Sequence, residues 1–164
     1  MVARGVDPIE QAWALLNDVP EGSVGEFVGG ELRVHPRPDP PHVNAASELI
    51  GELHGPFRRG LGGPGGWVLR DEPRVRFADE IRVPDLAGWR AERFAFPEHG
   101  PFAVVPDWIC EVLSKSTAAE DRSEKMPLHA RSGVAHLWLV DPGLRTLEVY
   151  RLANRLWVLV ETFA

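Results

Sequence analysis

Apolar and polar positions change period several times along this chain, and each change marks an element. Asp7-Pro8-Ile9-Glu10 reads as a helix start, with Asp as N-cap, Pro in the first turn and Glu closing a capping box. Ile9, Trp13 and Leu16 continue it as a stripe at helical spacing, which predicts an N-terminal helix over 8–18 ending before Pro20. Alternation then predicts strands over 24–28 and 32–35, joined at Gly29-Gly30 as a hairpin. After a proline-rich extended stretch at 36–41, Val43, Ala46, Ile50, Leu53 and Phe57 keep one helical face apolar until Gly60. Glu48 and Glu52 lie four apart on the other face and read as a solvated pair.

Residues 67–69 and 74–77 read as one strand or as two halves of a hairpin. Pro84 cannot donate to a ladder, so the next strand is expected from Asp85 to about Trp89. Residues 91–106, with three prolines, form a loop. Residues 108–113 are apolar on both faces except at Glu111, the pattern of a central strand. A polar connection at 114–119 leads to a helix over about 121–132 closed by Gly133. A strand at 135–140 follows, and 146–152 with 156–162 form a hairpin around Ala153-Asn154. The middle thus runs helix, three strands, helix, strand, with hairpins flanking it at both ends. This predicts a mixed α/β (α+β) domain with helices on the faces of one sheet.

Composition narrows the class. The 164 residues suit one domain over 1–164, and 44% apolar residues with six tryptophans are those of a globular chain. No apolar run approaches the roughly 18–20 residues that span a bilayer. The N-terminal Met-Val-Ala-Arg-Gly-Val lacks a signal-peptide core, which reads as a cytoplasmic protein without membrane association. The single cysteine, Cys110, excludes an internal disulfide and a cysteine zinc cage, and reads as a small core residue. A net charge of −6 speaks against a non-specific nucleic-acid coat. It is compatible with an enzyme that combines a local basic groove with a divalent ion.

Candidate chemistry centres on Glu111. Its carboxylate shares a strand face with Ile109 and Leu113, and an unpaired charge there would be strongly unfavourable. The remedies are an arginine partner such as Arg122, protonation, or a divalent cation. Asp107 is four residues upstream, roughly 13 Å along a strand at about 3.3 Å per residue, too far to share one ion. Asp85, on a different strand, can lie alongside Glu111, leaving Asp107 as a strand-start residue. Asp85, Glu111 and the Val112 carbonyl would suit Mg²⁺ (or Mn²⁺), which takes oxygen ligands, water and phosphate. The chain has only two lysines, Lys115 and Lys125, against sixteen arginines. Lysine, unlike arginine, can supply an amine that releases a proton. Lys125 is the leading amine, in an Asp121–Lys125–His129 stripe at spacing four, and Lys115 is the reserve. An ordinary surface ion pair between Asp121 and Lys125 is the plain alternative, and Pro127 implies a kink or a helix starting near Met126.

These fragments resemble the PD-(D/E)XK nuclease superfamily, and within it the Uma-type restriction-endonuclease family. The resemblance rests on Gly30-Glu31-Leu32, His42, Val83-Pro84-Asp85-Leu86, Pro106-Asp107, and Glu111-Val112-Leu113-Ser114 with Ser116-Thr117. It continues through Asp121, Lys125, Gly133-Val134, Trp138 and Val140-Asp141-Pro142, spanning residues 22–152. It implies a restriction-endonuclease-like core with Asp85 and Glu111 as metal ligands. In the superfamily the lysine stands two residues after the acid, where this chain has Leu113. The family resembled supplies its amine from the next helix, which falls on Lys125, and His129 stands where that family usually has Tyr. Glu26 matches a family acid, and His42 could touch a phosphate or a metal-held water, or serve only as a helix-start residue. The expected function is a Mg²⁺- or Mn²⁺-dependent endonuclease cleaving DNA phosphodiesters. The alternative is a catalytically inactive nuclease fold binding nucleic acid or protein. Cutting two strands favours a homodimer, with the C-terminal hairpin and Trp157 as the pairing surface.

Overall fold

The computed structural model describes residues 7–164. The N-terminal stretch read above for targeting, residues 1–6, lies outside them. The elements are α1 (Pro8–Asn17), β1 (Ser23–Val28), β2 (Glu31–Pro36), α2 (Pro40–Leu53), β3 (Trp67–Asp71), β4 (Val75–Phe77), β5 (Glu80–Arg82), β6 (Leu86–Arg90) and β7 (Trp108–Val112). They continue as α3 (Ala118–Glu120), α4 (Met126–Arg131), β8 (His136–Asp141), β9 (Thr146–Ala153) and β10 (Leu156–Phe163). The helix starts follow the capping logic: Asp7 Oδ1 accepts from Ile9 N at 2.9 Å and Asp39 Oδ1 from His42 N at 3.2 Å. Among the described residues no helix is long and apolar enough to cross a membrane.

The helix, three-strand, helix, strand core is present as α2, the strands β3, β6 and β7, the α3–α4 segment, and β8. The strands, however, form two sheets where one was expected. A six-stranded sheet runs β10-β9-β8-β7-β6-β3, with β7 and β8 parallel and the other pairs antiparallel. A four-stranded sheet runs β2-β1-β5-β4. The segments 67–69 and 74–77 therefore belong to different sheets and are not halves of a hairpin. β5, a three-residue strand, had no reading of its own in the sequence. It pairs with both β1 and β4 and so ties the N-terminal hairpin to the rest.

One face of the large sheet carries Leu69, Leu86, Trp108 and Cys110 under Ala46, Leu49, Ile50 and Leu53 of α2. Val43, expected in that stripe, lies 48% exposed and outside that cluster. On the other face Ala87, Ile109, Leu113, Leu137 and Leu139 pack with Leu128 of α4 and with Val75 and Phe77 of the small sheet. α1 covers the small sheet through Ile9, Ala12 and Leu16 against Phe27 and Ile81. Gly25 allows this approach, since a Cβ there would sit 2.5 Å from Val19 Cγ2 and 3.0 Å from Leu16 Cδ2.

Helical residues run from Ala118 to Arg131, starting earlier than expected and passing through Pro127 without a break. Proline in a regular helix clashes with the carbonyl four residues back. Here Asp121–Lys125 form a wider π-type turn, in which the Met126 N–H reaches back to the Asp121 carbonyl. The extra residue in the turn makes room for the ring. Gly133, at φ +84°, closes the segment with the left-handed conformation a helix end favours.

Candidate active site

The site lies where β6 begins and β7 ends. The register Leu86↔Cys110 and Ala87↔Ile109, carried one step outward, sets Asp85 opposite Glu111, so both side chains leave the same face of the sheet. Strand β6 starts at Leu86, leaving Asp85 just ahead of the ladder. Its carboxylate is nonetheless fixed. Oδ2 accepts from the Val112 N–H at 2.6 Å, and Oδ1 lies 2.9 Å from His42 Nε2. His42 is thus both a helix-start residue through its backbone and a partner of Asp85 through its ring. Burial lowers the His42 pKa, but the hydrogen bond and charge of Asp85 outweigh it and leave it raised.

Glu111 is 1% exposed, a charge position inside the core. Its partners come from the following helix: Lys125 Nζ donates to Oε2 at 3.2 Å, and His129 Nε2 lies 3.0 Å from Oε1. Lys125 Nζ also sits 3.0 Å from Oδ1 of Asp121, itself 2% exposed, though off the direction of a hydrogen bond. One ammonium therefore faces two buried carboxyl groups, and they respond oppositely. Burial pushes Glu111 up, but Lys125 and His129 outweigh it and hold its pKa below the usual carboxylate range. Burial and the Glu111 charge together push Asp121 up to about 6. Burial lowers the Lys125 pKa, yet Glu111 and Asp121 more than reverse this and hold the amine protonated. The three titrate as a unit in which Glu111 keeps the charge and Asp121 carries the repulsion.

Glu26 contributes from below. Buried on β1, it accepts from the Val83 N–H at 2.7 Å and from Arg82 at 3.2 Å, anchoring the backbone just ahead of Pro84-Asp85. A cleft of about 90 Å³ is lined by Glu26, His35, His42, Asp85, Asp121 and Lys125 among others. Lys115 is exposed and lines an adjoining cleft of about 910 Å³ that meets the first at His42, while the ion-pair partners of Glu111 and Asp121 among the described residues are Lys125 and His129. Asp107 stays away as expected, accepting from the Arg90 N–H and pairing with Arg93. Arg122 pairs with Glu148 at 2.8 Å and leaves Glu111 to Lys125 and His129.

Two groupings had no sequence signal. His129 was visible as the end of a stripe and in the place of a family Tyr, but its contact to Glu111 depends on how the helix crosses β7. Glu26, His35 and Glu120 each bring a donor atom within 4.8 Å of the others, a grouping that could hold a cation. Arg82 already supplies positive charge there, 3.2 Å from Glu26 and 3.5 Å from Glu120. Spacings of 9 and 85 residues along the chain carry no trace of that convergence.

The order of these parts along the chain matches a known family. A family model named Uma2, described as "Putative restriction endonuclease", aligns with residues 12–164. The chain belongs to the Uma2 family. The Uma2 model thus takes in the hairpin carrying Glu26, the Asp85 and Glu111 strand ends and the Lys125 helix. A crystal structure from Anabaena variabilis, described as a "putative nuclease belonging to DUF820", has a similar fold. The TM-score is 0.66 at 24% identity, covering 85% of this chain and 75% of that one. No curated protein matches the sequence. The restriction-endonuclease-like fold read from the motifs is therefore that of this Uma2 chain.

Proposed function

We propose that the protein is a divalent-metal-dependent endonuclease that hydrolyses DNA phosphodiester bonds. The observation that carries this reading is the meeting of an amine with two opposed strand-end acids: Lys125 Nζ lies 3.2 Å from Glu111, and Asp85 stands across the ladder from it. The oxygen donors of Asp85, which lines the acidic cleft, and of the buried Glu111 suit Mg²⁺ or Mn²⁺, and Glu111 already draws in a cation, the Lys125 ammonium. Asp85, Glu111 and the Val112 carbonyl would hold the ion. Bound there, it would act as a Lewis acid, withdrawing charge from the phosphate and acidifying water. His42 and the Val112 N–H keep the Asp85 carboxylate aimed. Lys125, which pairs with Glu111, would orient the attacking water and meet charge building on the phosphate. Asp121 holds the amine near the site, and Glu26 fixes the approach to Asp85.

The test is direct. Purified protein with Mg²⁺ or Mn²⁺ should nick or linearise plasmid DNA, and Asp85→Ala and Lys125→Ala should each abolish cutting. Inactivity on duplex, single-stranded, structured and methylated DNA, and on RNA, would sink the reading.

A second reading, a nuclease fold that only binds nucleic acid or protein, has one observation in its favour. Both oxygens of Asp85 and both of Glu111 are occupied by protein groups. Titration with Mn²⁺ separates the two, because the enzyme site must bind the ion and lose it in Glu111→Gln. Pairing of two copies belongs to the same proposal, but not through Trp157. That indole is half-buried and donates to the Met126 carbonyl at 2.8 Å. The surface offered is β10, the outer strand of the large sheet, with Leu156, Val158, Leu159, Val160 and Phe163 exposed.

A further inference from the structure

His129 is completely buried, on α4, with its ring 5.2 Å from that of Phe77. A polar ring in such a place ordinarily spends both nitrogens on partners. Here, among the described residues, Nδ1 has none, and the ring's sole polar contact is from Nε2 to Glu111 Oε1 at 3.0 Å. Because the acceptor is a carboxylate, Nε2 is the nitrogen that carries the hydrogen. The ring is thus held by packing on one side and directed at a single oxygen on the other.

That oxygen belongs to a side chain with freedom to lose. The terminal torsion of glutamate is broad and roughly two-fold, so nothing intrinsic distinguishes Oε1 from Oε2. Lys125 directs its hydrogen bond to Oε2. We propose that His129 is a positioning residue: by occupying Oε1 it fixes the Glu111 carboxylate so that Oε2 alone is presented to Lys125 and to a bound divalent ion. The inference rests on the reading that Glu111 is a metal ligand. Hydrogen bonds to ligating carboxylates commonly control metal affinity by about 10–100-fold.

The experiment measures Mn²⁺ dissociation constants by calorimetry for wild type, Glu111→Gln, His129→Phe and His129→Gln, with thermal midpoints alongside. His129→Phe keeps the ring and removes the donor, and should weaken Mn²⁺ by about 10–100-fold. His129→Gln returns an N–H to the same oxygen and should bind within about threefold of wild type, even where its thermal midpoint falls as far as that of the Phe variant. Should His129→Phe not fold, His129→Met supplies the same comparison. Wild-type affinity in the variant without a donor, or equal weakness in His129→Gln, overturns the inference. A protein that binds Mn²⁺ through Glu111 but cuts nothing sinks the nuclease reading and leaves His129 in place. A protein that cuts, with His129→Phe binding Mn²⁺ normally, does the reverse. Absence of Mn²⁺ binding by the wild type overturns both.

Discussion

Lys125 bridges Glu111 and Asp121, its nitrogen 3.2 Å from one carboxylate and 3.0 Å from the other, with 13% of the side chain exposed. Removing one member of a buried charge group leaves the others uncompensated, at a cost of about 3–5 kcal/mol. In metal-free buffer Lys125→Met should therefore lower the thermal midpoint by roughly 10 °C. Mn²⁺ should restore more of that loss than it adds to the wild type, because it replaces the missing cation. Scanning calorimetry with and without Mn²⁺ checks this, and equal metal-induced shifts in the two proteins would refute it.

Asp121 carries the opposite sign. With its pKa raised from 3.8 to about 6 in the folded protein, the native state binds a proton that the unfolded chain releases. Its contribution to stability therefore falls as pH rises from about 4 to about 6, and the penalty is full above that. Asp121→Asn should raise the thermal midpoint by roughly 5 °C at pH 7.5 and leave it little changed near pH 4. A gain of equal size at both pH values would show that the carboxyl is not strained as described.

At Gly25 the issue is space. A methyl group would meet Val19 at 2.5 Å, and the backbone of β1 cannot retreat without disturbing its pairing with β2 and β5. Gly25→Ala should cost about 1–3 kcal/mol by overpacking. Hydrogen exchange should show α1 loosening first, while amides of β7 stay protected.

If β10 joins two copies, a charge in the middle of that edge should separate them. Val160→Lys or Leu159→Lys should convert a dimer to a monomer in sedimentation velocity without lowering the thermal midpoint. A wild-type protein that sediments as a monomer at all concentrations would remove the pairing proposal.

Legibility in the sequence varied with how local the deciding physics is. The continuous apolar run around Glu111 marks β7 as a central strand, and all five of its residues are buried. The Asp7 cap and the Gly29-Gly30 turn act within a few residues, so the elements they bound were readable; the start of α2 was not, since Pro40 already belongs to it inside the stretch expected to be extended. Sheet membership was not: 67–69 and 74–77 have similar patterns, yet only their partners distinguish the two sheets. β5 is too short for its alternation to be noticed, although Ile81 and Arg82 are buried within it. At the site, Asp85, Glu111 and Lys125 stood out by residue type and order, and they do come together in space. His129, His35 and Glu120 did not, because their neighbours are set by a helix crossing and by sheet-to-helix contacts.

The wide turn ahead of Pro127 makes the geometry of this cleft a matter of counting. Each residue in a helix rotates the next by about 100°. Loss or gain of one position between 121 and 125 would send the Asp121 carboxyl around the barrel of the helix, away from the amine it now meets. It would also bring the proline ring against a backbone oxygen it currently clears. A substitution here removes one group at a time, but a length change strikes the acid, the amine and the ring together. This stretch should therefore resist insertions and deletions.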